Sequence, residues 1–362
     1  MRLDQLRNRI EAIDRQIIDL IAERQALSDQ IGVVKRSEGR ATRDFSREKQ
    51  VIEAARGRAV ERGVSPAVAE SLMELLIRSS LTTQERARVR AEGAGRGQPA
   101  LVIGGSGKMG RWFVEFLDSQ GFDVSVADPA GPVPGFRSVA DWRVLTEDFA
   151  MTVVATPLRL TADVLQEMAE RGHRGLIFDI GSVKAPLVAG LQALAARGAR
   201  VVSLHPMFGP DTQLLSGRHV LFMDVGVPEA VREARQLFAS TMVQQMEMPL
   251  ADHDRLIAFV LGLSHAVNIA FFTVLAESGE SAPRLANLSS TTFDAQLEVA
   301  SRVARENPHL YFEIQSLNPD GLDALGDLLR TVRRLTEIVG GGDAEAFVAL
   351  MEQGRRYLAQ RA

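Results

Sequence analysis

The spacing of apolar residues changes along this chain, and that change constrains the fold more than any other feature. From Leu3 to Val34 apolar residues recur every three or four positions, and helical spacing continues to residue 92. From Ala100, short apolar runs alternate with helical stretches, which is the pattern of a parallel doubly wound sheet. From Ala251 the pattern is helical again. The sequence therefore predicts a multidomain chain in the order all-α, α/β and all-α.

Composition and hydrophobicity suggest the domain boundaries. A glycine-rich stretch with few apolar residues, 93–99, indicates a linker. It separates a three-helix domain over 1–92 from a Rossmann-type dinucleotide-binding domain over 100–249, and a helical domain over 250–362 follows. The apolar stretch Leu256–Leu275 is typical of a helix buried in a dimer core rather than in a membrane. The first helix also carries a long apolar stripe, so both helical domains predict a homodimer.

Composition also excludes several function classes. The 362 residues include no cysteine, which rules out disulfides, thiolate metal sites and thiol nucleophiles. The net charge of −4 argues against a nucleic acid partner. The N-terminus is charged from Arg2 onward, with no signal core and no spanning run of about 20 apolar residues. The default expectation is a cytoplasmic enzyme that binds no metal, nucleic acid or membrane.

A glycine fingerprint follows the first predicted strand and opens a helix. Its residues are Gly105, Ser106, Gly107, Lys108, Met109 and Gly110. Glycine at such positions lets the backbone approach a pyrophosphate, whose charge is met by the helix N-terminus. Asp128 ends the next strand, where a carboxylate hydrogen-bonds the ribose hydroxyls of NAD and repels the extra phosphate of NADP. The pattern predicts NAD as cofactor, with Thr156 walling the nicotinamide side.

Two further strand ends carry polar residues, Ser182 and His205. Ligands bind at the carboxyl ends of parallel strands. A neutral imidazole there accepts the proton of a hydroxyl while hydride leaves the adjacent carbon, and Ser182 can hydrogen-bond the same oxygen. Together with the dinucleotide site, this predicts hydride transfer from an alcohol.

Three residues of the last domain are candidates of different kinds. Arg302 suits forked recognition of a carboxylate, so it is the candidate anchor for an acidic substrate. His265 interrupts the apolar helix and needs a partner, either a ligand or a neighbouring helix. His253 stands near a helix start, where a surface or capping role is expected.

Several motifs together resemble those of prephenate dehydrogenase. They are the glycine loop, Gly181-Ser182-Val183-Lys184 and Leu204-His205-Pro206-Met207-Phe208-Gly209-Pro210. The N-terminal helices resemble the all-helical chorismate mutase that is fused to this dehydrogenase in enteric-type bifunctional enzymes. The resemblance implies Claisen rearrangement of chorismate to prephenate, then NAD-dependent oxidative decarboxylation to 4-hydroxyphenylpyruvate in tyrosine biosynthesis. It also implies tyrosine as an inhibitor.

The resemblance assigns roles in the dehydrogenase half. His205 would accept a hydrogen bond from the ring 4-hydroxyl, with Ser182 as its companion. Arg302 would bind a substrate carboxylate. His265 would lie near the pyruvyl side chain and take part in tyrosine sensing.

Eight positions of the first domain match the mutase family's site residues. By the resemblance, the carboxylates are bound by Arg7 and Arg24, the ether oxygen is contacted by Lys35 and Gln84, the ring hydroxyl lies near Asp44 and Glu48, and the pocket is completed by Arg47 and Ser80. The rearrangement needs no nucleophile or proton transfer. It needs the reactive conformer held in place, with positive charge beside the breaking carbon–oxygen bond.

Helix geometry agrees with these assignments. On a straight helix Arg24 and Lys35 are separated by about 20° around the axis and about 16 Å along it, so both can hold one small dianion. Arg7 lies about 25 Å from Arg24 along the same helix, which is too far to join it. Arg7 is therefore predicted to reach the site of a partner subunit.

Two alternatives remain open. One keeps the fold but takes arogenate, the transaminated form of prephenate, as the dehydrogenase substrate. The other makes residues 1–92 a dimerisation or effector module without catalysis. A general hydroxyacid dehydrogenase would leave the mutase residues unexplained.

Overall fold

The computed structural model describes residues 2–360, which form two compact units. The first comprises the chain up to Thr156 together with Leu160–Gly181 and Ala189–Met248. The second comprises Pro157–Arg159, Ser182–Val188 and the chain from Pro249 onward. The first unit contains three N-terminal helices and an eight-stranded sheet with its connecting helices, and the second unit is helical. The predicted order of all-α, α/β and all-α is therefore confirmed.

The N-terminal domain consists of α1 (Leu3–Ser37), α2 (Phe45–Glu61) and α3 (Pro66–Glu92). Local chemistry sets these bounds. Gly39, with φ of +66°, follows the end of α1 in the left-handed region that favours glycine. The Asp44 side chain caps α2 by accepting the Arg47 N–H, and a proline occupies the first turn of α3.

The apolar stripe of α1 is exposed. Leu6, Ile10 and Ile13 are 43%, 59% and 48% exposed. Within α1 only Ser28 and Gly32 are buried, where the helix packs against α3. The described residues of one chain do not bury this apolar face, so a second chain is needed to bury it.

The sheet has the strand order β3-β2-β1-β4-β5-β6-β7-β8. Its strands are β1 (Pro99–Ile103), β2 (Asp123–Ala127), β3 (Arg137–Val139), β4 (Met151–Val154), β5 (Leu176–Asp179), β6 (Arg200–Pro206), β7 (His219–Asp224) and β8 (Gln244–Glu247). All neighbours are parallel except β6 and β7. The short edge strand β3 was not predicted from the sequence.

Four helices connect the strands of the sheet. They are α4 (Lys108–Ser119), α5 (Leu158–Arg171), α6 (Val188–Ala196) and α7 (Pro228–Gln236). Strands β4 and β5 are buried at every residue, as expected for parallel strands with helical crossovers.

The second unit is built from helices. They are α8 (Leu250–Ile257), a π-helical segment (Ala258–Leu263), α9 (Ser264–Glu277), α10 (Ala282–Asn287), α11 (Thr291–Ala304), α12 (Pro308–Leu317), α13 (Gly321–Gly340) and α14 (Ala344–Ala359). The continuous helix Leu250–Glu277 is long and apolar enough to cross a membrane by length and composition, contrary to the expectation that no such run exists. Only 22% of its apolar window is buried within the chain.

Candidate active sites

A pocket on the N-terminal helices gathers seven of the eight positions assigned to the mutase. These are Arg24, Lys35, Asp44, Arg47, Glu48, Ser80 and Gln84. Apolar side chains such as Leu27, Ile31 and Met73 complete its walls. Arg7 does not line it: its side chain is 67% exposed near the start of α1, beside Asp4.

The pocket contains three cations, Arg24, Lys35 and Arg47, and the first two are held by neutral oxygens. Arg24 donates from Nη1 to Ser80 Oγ at 2.8 Å and to the Leu76 carbonyl at 3.1 Å. Lys35 Nζ donates to the Thr42 carbonyl at 2.7 Å. Neither pairs with a carboxylate of the described residues. Their positive charge is therefore available to a dianionic ligand.

Gln84 is buried in the pocket wall, and both hydrogens of its amide are used. Nε2 donates to the Ser28 carbonyl and to Ser28 Oγ, each at 2.8 Å, whereas Oε1 has no partner among the described residues. An ether oxygen accepts hydrogen bonds, so Gln84 contacts it only if the amide turns over. A Cβ at Gly32 would stand 2.9 Å from Gln84 Cγ. We did not single out Gly32 from the sequence, although a glycine inside a long helical pattern is a signal of close packing at that position.

The acids of the pocket are already engaged. Glu48 forms a forked ion pair with Arg43, with Nε–Oε1 and Nη2–Oε2 distances of 2.9 Å. Asp44 caps α2 by accepting the Arg47 N–H at 3.0 Å. Arg43 was not singled out from the sequence. Its Nη1 also donates to Ser216 Oγ of the sheet domain at 2.7 Å.

The glycine loop between β1 and α4 is packed too tightly for side chains. A Cβ at Gly110 would stand 2.0 Å from the Gly104 carbonyl oxygen, and one at Gly105 would stand 2.7 Å from Val126 Cγ1. Gly107 precedes α4 without a side-chain cap, so the first N–H groups of this helix are open to an anion. Lys108 and Met109 form its first turn. This cradle fits a dinucleotide pyrophosphate.

Asp128 braces the same loop from the end of β2. Its carboxylate accepts the Ser106 N–H at 2.9 Å and the Ala130 N–H at 2.8 Å. An ionised carboxylate has about four acceptor positions, so two remain for ribose hydroxyls. Thr156 follows β4, with its Oγ1 2.9 Å from Thr161 Oγ1. The residues present fit the cofactor site that the sequence predicts.

His205 is buried within β6, opposite Leu221 of β7. Two residues earlier in β6, Ser203 lies opposite Asp179 of β5 and donates to its Oδ2 at 2.6 Å. This polar pair anchors β6 to β5 just before the histidine.

Ser182 belongs to the second unit, where Asp254 holds the segment that follows it. The Asp254 carboxylate accepts the N–H groups of Lys184 at 2.8 Å and Ala185 at 2.7 Å. It also lies 2.7 Å from His253 Nδ1. Burial alone would raise the pKa of Asp254, but these hydrogen bonds outweigh it and lower that pKa. His253 is fully buried, so the expected surface role is wrong.

The other candidates of the second unit lie on different helices. His265 of α9 contacts the Tyr311 ring of α12, with centroids 4.1 Å apart. Burial lowers the pKa of His265, and its Nδ1 has no partner among the described residues. Arg302 of α11 has a side chain 76% exposed and pairs with Glu298. No hydrogen bond or ring contact joins it to His265 in the described part of the chain.

Three family models match consecutive parts of the chain. Chorismate mutase type II matches residues 6–85. The nucleotide-binding domain of prephenate dehydrogenase matches residues 136–253, and its dimerization domain matches residues 249–353. The second match begins after the glycine loop, so assignment of the loop rests on its geometry.

Relatives match across the same domains. The T-protein of Enterobacter agglomerans is 27% identical over 99% of this chain and 94% of its own length. The T-protein of Haemophilus influenzae is 24% identical over 96% of this chain and 89% of its own. A 4-amino-4-deoxyprephenate dehydrogenase of Streptomyces pristinaespiralis is 33% identical over 72% of this chain and 91% of its own.

Solved structures share the fold. Prephenate dehydrogenase from A. aeolicus, in complex with hydroxyphenyl propionate and NAD+, has a TM-score of 0.59 at 18% identity, over 73% of this chain and 98% of that one. Synechocystis arogenate dehydrogenase has a TM-score of 0.55 at 18% identity, over 73% of this chain and all of that one (100%). The chain belongs to the prephenate dehydrogenase family and carries a type II chorismate mutase domain at residues 6–85.

Proposed function

We propose that this chain catalyses two consecutive reactions of tyrosine biosynthesis. Its N-terminal domain rearranges chorismate to prephenate, and the rest of the chain oxidises and decarboxylates prephenate to 4-hydroxyphenylpyruvate with NAD. The observation that carries this proposal is the mutase pocket itself. Two of its cations, Arg24 and Lys35, pair with no carboxylate of the described residues, and they occur in the same chain as a family dehydrogenase with a dinucleotide cradle.

In the mutase reaction the protein acts by position and charge. Arg24 and an Arg7 supplied by a second copy of the chain hold the substrate carboxylates so that the reactive conformer is selected. Lys35 places positive charge beside the ether oxygen as its bond to carbon breaks. Asp44 and Glu48 face the ring hydroxyl, with Arg47 and Ser80 completing the pocket. Gln84 joins Lys35 at the ether oxygen once its amide has turned over.

In the dehydrogenase reaction His205 accepts the hydrogen bond, and then the proton, of the ring 4-hydroxyl. Ser182 hydrogen-bonds the same oxygen, and Arg302 binds a substrate carboxylate. The glycine loop and Asp128 would hold NAD, which would supply an acceptor for the hydride that leaves ring carbon 4. The ring carboxylate departs as carbon dioxide, its bonding electrons complete the aromatic ring, and the oxygen regains its proton. Aromatisation makes the step irreversible.

We propose that the enzyme is a cytoplasmic homodimer inhibited by tyrosine. The exposed stripe of α1 and the sparsely buried helix Leu250–Glu277 both support pairing with a second copy. The position of Arg7, far along α1 from the pocket, supports its entry into the partner's site. Tyrosine resembles the product, so His265 near the pyruvyl group is the residue assigned to sensing it.

Two other substrates follow from the comparisons and the resemblance. Arogenate differs from prephenate in its side-chain amino group. The Streptomyces pristinaespiralis relative is named for a substrate with an amino group at ring position 4. Prephenate carries at that position the hydroxyl that His205 faces in this proposal. The chorismate mutase domain at residues 6–85 favours the chorismate-to-prephenate sequence.

Two variants test the proposal by separating the reactions. We expect Lys35→Ala to lower chorismate consumption at least about 100-fold, because positive charge at the breaking bond is lost, while NADH formation from added prephenate stays within about twofold. His205→Asn should instead lower NADH formation from added prephenate at least about 100-fold and leave chorismate consumption within about twofold. Lys49→Ala is the matched control, because Lys49 is exposed on α2 and pairs with Glu53 outside the pocket. Equal loss of both activities in either folded variant would contradict two separate sites.

A further inference from the structure

The segment that follows His205 is attached to the mutase domain. This β6–β7 segment, residues 207–218, joins strands β6 and β7 and begins two residues after His205. It belongs to the same compact unit as α1, α2 and α3. Two charged side chains of the mutase domain contact it, and neither was assigned a role from the sequence.

The first attachment is Glu85, which follows Gln84 on α3. Its side chain is buried, and Oε2 accepts the Leu215 N–H at 2.8 Å while Oε1 accepts the Met242 N–H at 2.6 Å. Burial raises the pKa of Glu85, although these two N–H groups act against it. A buried carboxylate is costly unless its hydrogen bonds are satisfied. Glu85 therefore ties α3 to two loops of the sheet domain.

The second attachment is Arg43, which bridges the mutase pocket and the β6–β7 segment. Two of its nitrogens bind the Glu48 carboxylate, and the third donates to Ser216 Oγ at 2.7 Å. The guanidinium is a rigid planar fork. A rotation of Glu48 in the pocket therefore changes the contact with Ser216.

The other end of the β6–β7 segment packs against α4, the helix that opens at the glycine loop. Trp112 Nε1 donates to the Thr212 carbonyl at 3.1 Å. The Trp112 ring also contacts Phe208, with centroids 5.0 Å apart. The segment is thus held between the mutase helices and the cofactor-binding helix, so a shift at Ser216 is not absorbed by a free loop.

We propose that Arg43 and Glu85 are positioning residues through which occupancy of the mutase pocket changes prephenate binding at the dehydrogenase site. Glu85 holds the β6–β7 segment in place, and Arg43 transmits movement of Glu48 to Ser216 and so to the residues after His205. The identity of the two reactions rests on the proposed function. The attachment itself rests only on the contacts described.

Steady-state kinetics test the coupling in the full chain. The probe is a bicyclic dicarboxylic ether that mimics the transition state of the rearrangement, added at saturation while prephenate is varied with excess NAD. We expect the KM for prephenate to change at least about fivefold, with kcat within about twofold. Ser216→Ala should reduce the KM effect to less than about twofold, because Arg43 loses its acceptor, and Ser216→Thr should restore it.

Two controls decide what the probe reports. Thr82 lines the same cleft as Arg43 and Ser216, but among the described residues its hydroxyl donates to the Arg78 carbonyl of its own helix and not to the β6–β7 segment. Thr82→Ala should therefore keep the full effect. Lys35→Ala should abolish the effect by weakening probe binding in the mutase pocket. An unchanged KM in the parent, an undiminished effect in Ser216→Ala, or an effect that persists in Lys35→Ala would overturn the proposal.

Hydrogen exchange tests the attachment without relying on catalysis. The Leu215 and Met242 amides should exchange at least about tenfold faster in Glu85→Gln, where one acceptor oxygen becomes an NH2 group, than in the parent or in Glu92→Gln on the same helix. Unchanged exchange would overturn the role of Glu85. Altered exchange in a chain that lacks both activities would uphold the attachment and reject the proposed function. Both activities without any change in the KM for prephenate would uphold the proposed function and overturn the coupling.

Discussion

The nucleotide site depends on backbone positions where a single carbon atom has no room. Gly110 is the clearest case, because an added Cβ would meet the Gly104 carbonyl oxygen at 2.0 Å. This oxygen is main chain, so no side-chain rotation relieves the clash. The sequence predicted the three fingerprint glycines from their spacing. It did not predict that Asp128 also binds the loop through the Ser106 N–H, because that contact needs the fold.

Gly110→Ala should therefore weaken NAD binding at least about tenfold while chorismate consumption is unchanged, since the mutase pocket lies on other helices. Titration calorimetry with NAD and a chorismate assay measure the two effects. Gly57→Ala on α2 is the control, because a Cβ there meets no atom within 4 Å. Normal NAD affinity in Gly110→Ala would contradict the cradle.

The carboxylate of Asp254 should make the stability of the fold depend on pH. Its pKa is lowered in the folded chain, so the unfolded chain binds more protons and Asp254 stabilises the fold at neutral pH. This contribution is present above the unfolded pKa and is lost as pH falls through the folded pKa. At pH 7 we expect Asp254→Asn to lower the free energy of unfolding by about 3 kcal/mol, because a buried hydrogen-bonded charge is removed.

The difference in the free energy of unfolding between the parent and Asp254→Asn should become smaller below about pH 4. Urea midpoints at pH 7 and at acid pH measure this difference. Dehydrogenase kcat should also fall, since the segment after Ser182 loses its acceptor. Asp252→Asn, an exposed neighbour that pairs with Arg255, controls for the loss of a charge. A gap that does not depend on pH would contradict the assigned role.

At the scale of elements, helix α1 has more apolar surface than its own chain covers. Helical spacing predicted the three-helix domain over residues 1–92, and the start of α2 is then set by local chemistry, the Asp44 cap. Two other elements were not predictable. Strand β3 is only three residues long, and the π-helical segment Ala258–Leu263 is apolar on every side and so shows no period.

The stripe of α1 leads to a complementation test. If Arg7 serves the partner's pocket, a mixed dimer of Arg7→Ala and Lys35→Ala chains contains one intact site. Random exchange makes half of the dimers mixed, so mutase activity should recover to about a quarter of the parent value. Mixing Arg24→Ala with Lys35→Ala is the matched control and should restore nothing, because both residues line the pocket of one chain. No recovery in the first mixture, with exchange confirmed by differently tagged chains, would contradict the shared site.

At the scale of the whole molecule, the chain joins two sites of different chemistry. Much of the mutase site was predictable, since seven assigned positions line one pocket and helical spacing places them there. Arg43, Glu85 and Ser216 were not, because their roles arise from contacts between residues more than a hundred positions apart. Periodicity shows which face of a helix is buried, but not which distant loop packs against a given carboxylate.

The central claim is that one chain performs both reactions. The most direct measurement is to incubate the purified protein with chorismate and NAD, follow NADH and identify the products by chromatography. We expect chorismate to disappear while NADH and 4-hydroxyphenylpyruvate form in equal amounts. Unchanged chorismate would show that the helical domain is no mutase, and prephenate accumulating without NADH would show that the dehydrogenase acts on another substrate. Either result would contradict the proposal that this chain performs both reactions.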